Sequence, residues 1–317
     1  MKIFITGNLG FIGTHLSALL IKNGHVVIGF DKKKPSGNEK YKCIHGNVLD
    51  GDLLNKCTSD NINLIIHLAA EHKDNIKPKS LYHDVNVKGT QNIITACEFN
   101  DINRIIFTST VAVYGLNQNE TNEDSVAKPF NDYGQSKLQA EQLLEIWYNK
   151  KNDRTLSIIR PTIIFGEGNR GNVFNLMKQI ANNRFMMVGS GENKKSIAYV
   201  GNLIEFISYS INKSNFYFVN YADKPDYTMN ELVEIINNKL KLKSSIFHIP
   251  YFVGILISLL FDFISYLTKK TFSISKIRVK KFCSNSIIST EKLDTLEFRR
   301  SYTVLEALEK TIQNEFG

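Results

Sequence analysis

Cysteine is scarce in this sequence and never closely spaced. The four thiols, Cys43, Cys57, Cys97 and Cys283, include no C-x-x-C pair, which excludes a disulfide frame and a cysteine metal centre and implies reduced thiols. No stripe of lysine and arginine interleaved with aromatics occurs, although the formal net charge is +8. A nucleic-acid partner is therefore not expected, and the scattered lysines suit the attraction of anionic phosphate ligands. Room for a signal peptide is lacking, because Met1 and Lys2 run directly into a strand pattern, and a cytoplasmic protein is expected. Internal repeats and low-complexity linkers are absent as well. The most apolar stretch, Tyr251 to Leu267, is short for a membrane span and carries Asp262 near its middle. It reads as a buried or interfacial amphipathic helix, and Lys269, Lys270 and the basic run 276–281 behind it make peripheral membrane contact a reading to test.

What the sequence does contain begins at its N-terminus. Lys2 to Thr6 is a short apolar strand, Gly7-Asn8-Leu9-Gly10-Phe11-Ile12-Gly13 a turn with glycines three apart, and Phe11 to Lys22 a helical pattern. Gly7 permits the sharp turn, Gly10 lets a pyrophosphate approach the backbone, and Gly13 lets the helix pack closely on the strand. The helix start, with Phe11 and Ile12, then offers free N–H groups and a partial positive charge to phosphates. A glycine triplet alone is weak; here it sits in strand–turn–helix context with Asp31 following at the end of a second strand.

Strand and helix patterns alternate through the first half. Strands are predicted at 2–6, 25–30, 41–45, 63–69, 104–109 and 156–160, and helices at 11–23, 50–57, 80–99 and 133–150. Near-continuous apolar strands separated by helices imply an α/β fold with a Rossmann-type doubly wound parallel sheet. After about residue 165 the alternation becomes irregular, with helices predicted near 172–183, 201–212, 228–241 and 302–315. Residues 1–165 are expected to form the dinucleotide-binding domain, and 166–317 a smaller mixed substrate lobe interleaved with the sheet.

Ligands of such sheets bind beyond the carboxyl ends of the strands. Asp31 there accepts hydrogen bonds from the ribose hydroxyls of an adenosine and repels a 2′-phosphate, which favours NAD; Lys32, Lys33 and Lys34 keep NADP open. The hydroxyl cluster Thr108-Ser109-Thr110 follows the strand at 104. Tyr133 and Lys137 open a helix at i, i+4 spacing and so share a face. A free phenol, with a pKa of about 10, is a poor base at neutral pH, and a neighbouring ammonium lowers that value. Tyr133 can then take a proton from a sugar hydroxyl whose oxygen Thr110 orients. Alone, a Tyr-x-x-x-Lys pair is usually a solvated helix face.

In combination, TGNLGFIG, His67-Leu68-Ala69-Ala70, Asn86-Val87-Lys88-Gly89-Thr90, STVAVYG, YGQSK and Arg160-Pro161 with Gly166 resemble the extended short-chain dehydrogenase/reductases of the NAD-dependent epimerase/dehydratase family, over roughly residues 1–170. The resemblance implies a tightly held NAD(P), a nucleotide-sugar substrate, most simply UDP-linked, and a homodimer through 80–99 and 133–150. It also implies Asn47 and Val48 at the adenine, Leu68, Ala69 and Ala70 at the diphosphate, Lys137 at the nicotinamide ribose, and Asn86, Thr108 and Pro161 around the cofactor. For Asn86 and His67 a packing role is the competing reading. Asn172 and Val173, at a predicted helix start, are matched to the substrate diphosphate. Lys195 stands where the family has an arginine, and Arg278 is a second candidate phosphate clamp. No metal is implied.

The residues after Thr110 sort the branches. The family's 4,6-dehydratases carry Asp-Glu there, the decarboxylases a glutamate and the GDP-fucose-synthase branch a cysteine. This chain has Val111-Ala112 and so lacks the acid and base for elimination. What remains is redox at one carbon. A C4-epimerase of a UDP-hexose or UDP-N-acetylhexosamine, working through a transient 4-keto sugar, is the first expectation, and a 4-keto reductase the second. A membrane-associated steroid- or lipid-type dehydrogenase and a non-catalytic dinucleotide-binding module are the readings from other classes.

Overall fold

The computed structural model describes residues 1–73, 76–116, 120–213, 216–242, 246–268 and 275–317; Lys269 and Lys270 of the basic flank lie outside them. In chain order the elements are β1 (Lys2–Thr6), α1 (Phe11–Lys22), β2 (Val26–Asp31), β3 (Lys42–His45), α2 (Gly51–Thr58), β4 (Leu64–His67), α3 (Ser80–His83), α4 (Gly89–Phe99), β5 (Arg104–Thr108), α5 (Asp132–Asn149), β6 (Thr155–Pro161) and β7 (Ile163–Phe165). There follow α6 (Asn172–Ala181), β8 (Met186–Val188), β9 (Lys194–Tyr199), α7 (Val200–Ser210), β10 (Phe216–Tyr221), β11 (Asp223–Thr228), α8 (Met229–Lys239), β12 (Phe247–Ile249), α9 (Tyr251–Thr268), α10 (Lys276–Cys283), α11 (Glu291–Asp294) and α12 (Val304–Phe316).

Seven parallel strands make the main sheet in the order β3-β2-β1-β4-β5-β6-β10. This is the doubly wound arrangement expected from the sequence. The central strands read as unbroken apolar runs because helices cover both faces. Phe4, Ile65, Phe107 and Ile158 pack on one side with Ile93, Leu144 and Trp147, while Ile3, Ile5, Ile66 and Ile159 pack on the other with Leu16, Leu203 and Leu308. Each such side chain contributes roughly 1.5–3 kcal/mol on burial. The strand order reverses between β1 and β4, which opens a crevice at their carboxyl ends.

Two features depart from the local pattern. The predicted helix 80–99 is divided into α3, a wide π turn at Asp84–Lys88, and α4. The wide turn holds buried Asn86, whose amide binds groups on two other elements, and such turns commonly serve a site rather than the helix. The chain also returns to the sheet after residue 215: β10 pairs with β6 along its whole length. The later residues otherwise build a mixed three-stranded sheet, β11-β9-β7, and a parallel pair, β12-β8.

Candidate active site

The turn after β1 and the end of β4 meet at the crevice. Gly7 has φ +74°, and a Cβ on it would lie 2.8 Å from the Ala69 nitrogen, so only glycine lets the two segments approach. A Cβ at Gly13 would lie 2.2 Å from the Gly7 carbonyl oxygen, which fixes α1 tightly against the turn. Asp31 closes β2 and is buried; its Oδ2 accepts the Leu9 N–H and its Oδ1 the Lys33 N–H, both at 2.9 Å. Lys32 is paired with Glu71 at 2.7 Å, and the Lys33 ammonium donates to the Leu9 carbonyl at 3.0 Å. Asp31 and the Lys33 ammonium therefore both lie against the glycine turn, through Leu9, whereas Lys32 is drawn off to Glu71.

Further along the edge, β5 delivers Thr108, Ser109 and Thr110, all buried. Thr110 caps the short 3₁₀ turn Val111–Tyr114 by accepting the Ala112 N–H at 3.1 Å, which leaves its own hydroxyl proton to donate elsewhere. The Tyr133 phenol hydrogen-bonds with Thr110. Helix α5 can come this close because of Gly134: a Cβ there would sit 2.6 Å from the Ala112 carbonyl oxygen. Asn131 fixes the start of the helix by accepting the Gly134 N–H at 2.8 Å.

Lys137 is buried one turn on from Tyr133, with its ammonium 3.8 Å from the centre of the Phe107 ring. Among the described residues it makes no hydrogen bond to the phenol, so the phenol-lowering contact expected from the sequence is not built into the protein alone. Burial pushes the Tyr133 phenol up to about 12, opposed by the Thr110 hydrogen bond. Burial also lowers Lys137 to about 7, opposed by the carboxylate of Glu141. Glu141 lies a further turn along α5 and forms a bidentate pair with Arg160, at 2.9 and 2.5 Å. The Arg160 guanidinium is sandwiched 4.8 and 4.1 Å from the Tyr114 and Phe218 rings. Sequence reading missed Glu141 and the Gly134 contact; the i+4 step from Lys137 was the available signal for the first.

The remaining predicted site residues divide into two groups. Phe11, Ile12, Leu68, Ala69, Ala70 and Pro161 line the carboxyl edge of the sheet as elements or their immediate ends. Val48 is buried and, with Asn47, follows β3; its side chain fills the space left by Gly89. Asn86 tethers the loop after β4 to α5: it accepts from the Glu71 N–H at 2.8 Å and donates to the Glu71 carbonyl at 3.0 Å and to Ser136 at 2.9 Å. His67, between Thr6 at 2.7 Å and Thr90 at 3.1 Å, is held neutral by burial, which lowers its pKa to about 3. Asn172 and Val173 begin α6. Lys195 is buried, and its ammonium donates to the Ser284 carbonyl and, at 2.7 Å, to the Lys281 carbonyl. It therefore closes the C-terminus of α10, the helix that carries half-buried Arg278.

These residues fit a dinucleotide. The glycine turn forms a cradle that side chains would fill, Asp31 stands at the end of β2, and the hydroxyls of Thr108 and Ser109 are buried with no hydrogen-bond partner among the described residues. Buried polar groups are rarely left so, and a ligand along this edge accounts for them. Among the described residues no cluster of metal-ligating side chains occurs.

A doubly wound parallel sheet, a glycine turn at its switch point and a Thr–Tyr–Lys set at its carboxyl edge define a dinucleotide-dependent enzyme of the short-chain dehydrogenase/reductase type. The chain matches the NAD dependent epimerase/dehydratase family over residues 3–218 and belongs to it. It is 44% identical, over 99% of its length and 95% of the relative's, to N-acetyl-alpha-D-glucosaminyl-diphospho-ditrans,octacis-undecaprenol 4-epimerase of Escherichia coli O157:H7. Its fold is similar to that of Thermotoga maritima UDP-glucose 4-epimerase solved with UDP-glucose, with a TM-score of 0.80 at 20% identity over 99% of this chain and 98% of that one. It is also similar to Bacillus cereus UDP-glucuronic acid 4-epimerase solved with NAD, with a TM-score of 0.79 at 22% identity and the same coverage.

Proposed function

We propose that the protein is an NAD-dependent C4-epimerase of a diphosphate-linked N-acetylhexosamine or hexose, with residues 1–165 holding the cofactor and 166–317 most of the substrate. The observation that carries this reading is the Thr110–Tyr133–Lys137 set on an edge where Val111 and Ala112 replace the acid and base that elimination requires. Bound at the glycine turn and Asp31, NAD supplies reversible hydride acceptance. Tyr133 exchanges the proton of the sugar's C4 oxygen, taking it on oxidation and returning it on reduction. Thr110 donates a hydrogen bond to that oxygen and fixes its distance from the phenol. Lys137, on the same face of α5 with its ammonium over Phe107, is assigned to the nicotinamide ribose and, in its charged form, to favouring the phenolate. Epimerisation then needs only that the oxidised sugar present its other face before reduction. Asn172, Val173 and Arg278 are assigned to the diphosphate, and Lys195 to holding α10 in place.

The relative from Escherichia coli supports a polyprenol-diphosphate carrier, and the family resemblance a UDP carrier; both present a diphosphate-linked sugar to the same edge. Peripheral membrane contact belongs to the first. A homodimer through α4 and α5 belongs to either, and the exposed Phe99 and Ile146 on those helices support it. The test is incubation with UDP-N-acetylglucosamine, UDP-glucose and a polyprenyl-diphosphate N-acetylglucosamine, without added NAD(P)H, reading the C4 epimer by NMR. Interconversion without net cofactor consumption is the expected result. Stoichiometric NAD(P)H consumption with a 4-keto sugar and no interconversion makes it a 4-keto reductase instead.

A further inference from the structure

Helix α9 is inside out. The stripe it turns toward the lobe is Gly254, Ser258 and Asp262, at i, i+4 and i+8. Gly254 is buried, and a Cβ on it would meet the Val188 side chain at 2.4 Å; Ser258 is buried; Asp262 accepts the Lys276 N–H at 3.0 Å, at the start of α10. The stripe turned outward is Phe252, Leu256, Leu260, Phe263 and Leu267, which are 67, 63, 58, 58 and 62% exposed. Their spacing of three and four residues places them on one face. A helix on a lobe surrounded by water alone carries the reverse pattern, and a large contiguous apolar surface marks an interaction site.

The apolar surface extends past the helix. Met186 and Phe247 are register partners across β8–β12 and are 52 and 67% exposed, and Phe247 lies four residues before α9 begins at Tyr251. Lys276 and Lys280 stand at exposed positions of α10, which packs along α9. With 18 residues α9 is about 27 Å long at a rise of about 1.5 Å per residue. Among the described residues no helix is long and apolar enough to cross a membrane. One side of α9 is in any case committed to the protein.

We propose that this face docks on a bilayer containing anionic lipid, with α9 lying in the plane of the interface, and that it brings the sugar site to a substrate whose carrier is itself a lipid. The docking stands on the stripe and its lysines; the purpose rests on the reading under Proposed function. Charge complementarity selects the bilayer over a second copy of the chain. A two-fold contact through α9 brings the same lysines round the same rim, like charge against like, whereas anionic headgroups neutralise them. The geometry connects the two regions. Helix α10 packs on α9, and at its other end the Lys281 ammonium is 5.4 Å from the centre of the Phe130 ring, beside the Asn131 cap of the helix that carries Tyr133.

The test is sedimentation of the full chain with sucrose-loaded vesicles of phosphatidylglycerol and phosphatidylethanolamine, against vesicles of phosphatidylcholine alone. The protein should partition at least about tenfold more strongly to the anionic vesicles. Leu256→Glu/Leu260→Glu/Phe263→Glu should lose about tenfold or more of that binding. Lys276→Glu/Lys280→Glu should weaken it and flatten its salt dependence. Both variants should retain the circular-dichroism melt and turnover of any water-soluble diphosphate sugar, while turnover of the prenyl-linked sugar in vesicles falls through KM. A wild-type protein that stays in the supernatant with both vesicles overturns the proposal. So does binding that ignores both sets of substitutions, or a dimer that the triple variant splits without any vesicle binding. Vesicle binding without epimerisation of either sugar upholds the docking and overturns the reading of the reaction; epimerisation without vesicle binding does the opposite.

Discussion

The carboxyl edge of the main sheet and the outer face of α9 are built from the same sequence device with opposite results. On α5, Tyr133, Lys137 and Glu141 recur every four residues, and the helix turns them inward: the ammonium and the carboxylate are buried, and the half-buried phenol reaches Thr110 of the hydroxyl cluster. On α9, Phe252, Leu256, Leu260, Phe263 and Leu267 recur at nearly the same interval, and the helix turns them outward. Spacing establishes that residues share a face. What that face meets is set by the neighbouring elements: Gly134 admits the segment 111–115 on one helix, and Gly254 admits Val188 on the other.

The comparison is broken most severely at the phenol. Tyr133→Phe should lower kcat about 10²–10⁴-fold with an unchanged melting temperature; near-normal turnover would remove Tyr133 from its role. Next comes the charge beneath it. Glu141→Ala leaves the Arg160 guanidinium buried and unpartnered on that side, and should cost about 3–5 kcal/mol in urea denaturation, whereas an exposed α9 substitution such as Leu256→Ala should cost within about 0.5 kcal/mol.

Gly134→Ala tests whether close approach is what places the phenol. Its methyl must displace the Ala112 carbonyl, and a misplacement of about 1 Å is worth up to about 10²-fold in rate; stopped or steady-state assays beside a melting curve separate that from unfolding. A subtler effect lies in the pH dependence of stability. Lys137 titrates at about 7 in the folded chain against an ordinary 10.5. Between those values the unfolded chain binds the extra proton, so this group makes stability rise with pH across that window and level off on either side. Lys137→Met should abolish that slope when urea midpoints at pH 7 and pH 9 are compared. The smallest effect is expected at Asp31→Ala, where the preference for NAD over NADP should narrow; equal discrimination would show that Lys32 to Lys34 set it.

Much of the edge was legible because its parts are local. The glycine spacing, the apolar strands and the Tyr-x-x-x-Lys pair each lie within a few residues, and chain order alone placed them on one side of the sheet. The expectation that Lys137 would bear directly on the phenol came from the same spacing, yet the ammonium lies over Phe107, a residue thirty positions earlier. Lys195 was matched to a phosphate on its local pattern, and that pattern did not show that its ammonium bonds carbonyls nearly ninety residues away at the end of α10. The seventh strand was not legible, since its pairing with β6 spans a long connection and short apolar runs do not declare their partners.

The sequence by itself determined the alternation of strands and helices, the glycine turn, and which side chains share a helix face, because these follow from backbone periodicity over a few residues. The tertiary structure alone decided which faces are buried, which charges are paired and which apolar stripe is left outside, because those outcomes depend on segments brought together from distant parts of the chain.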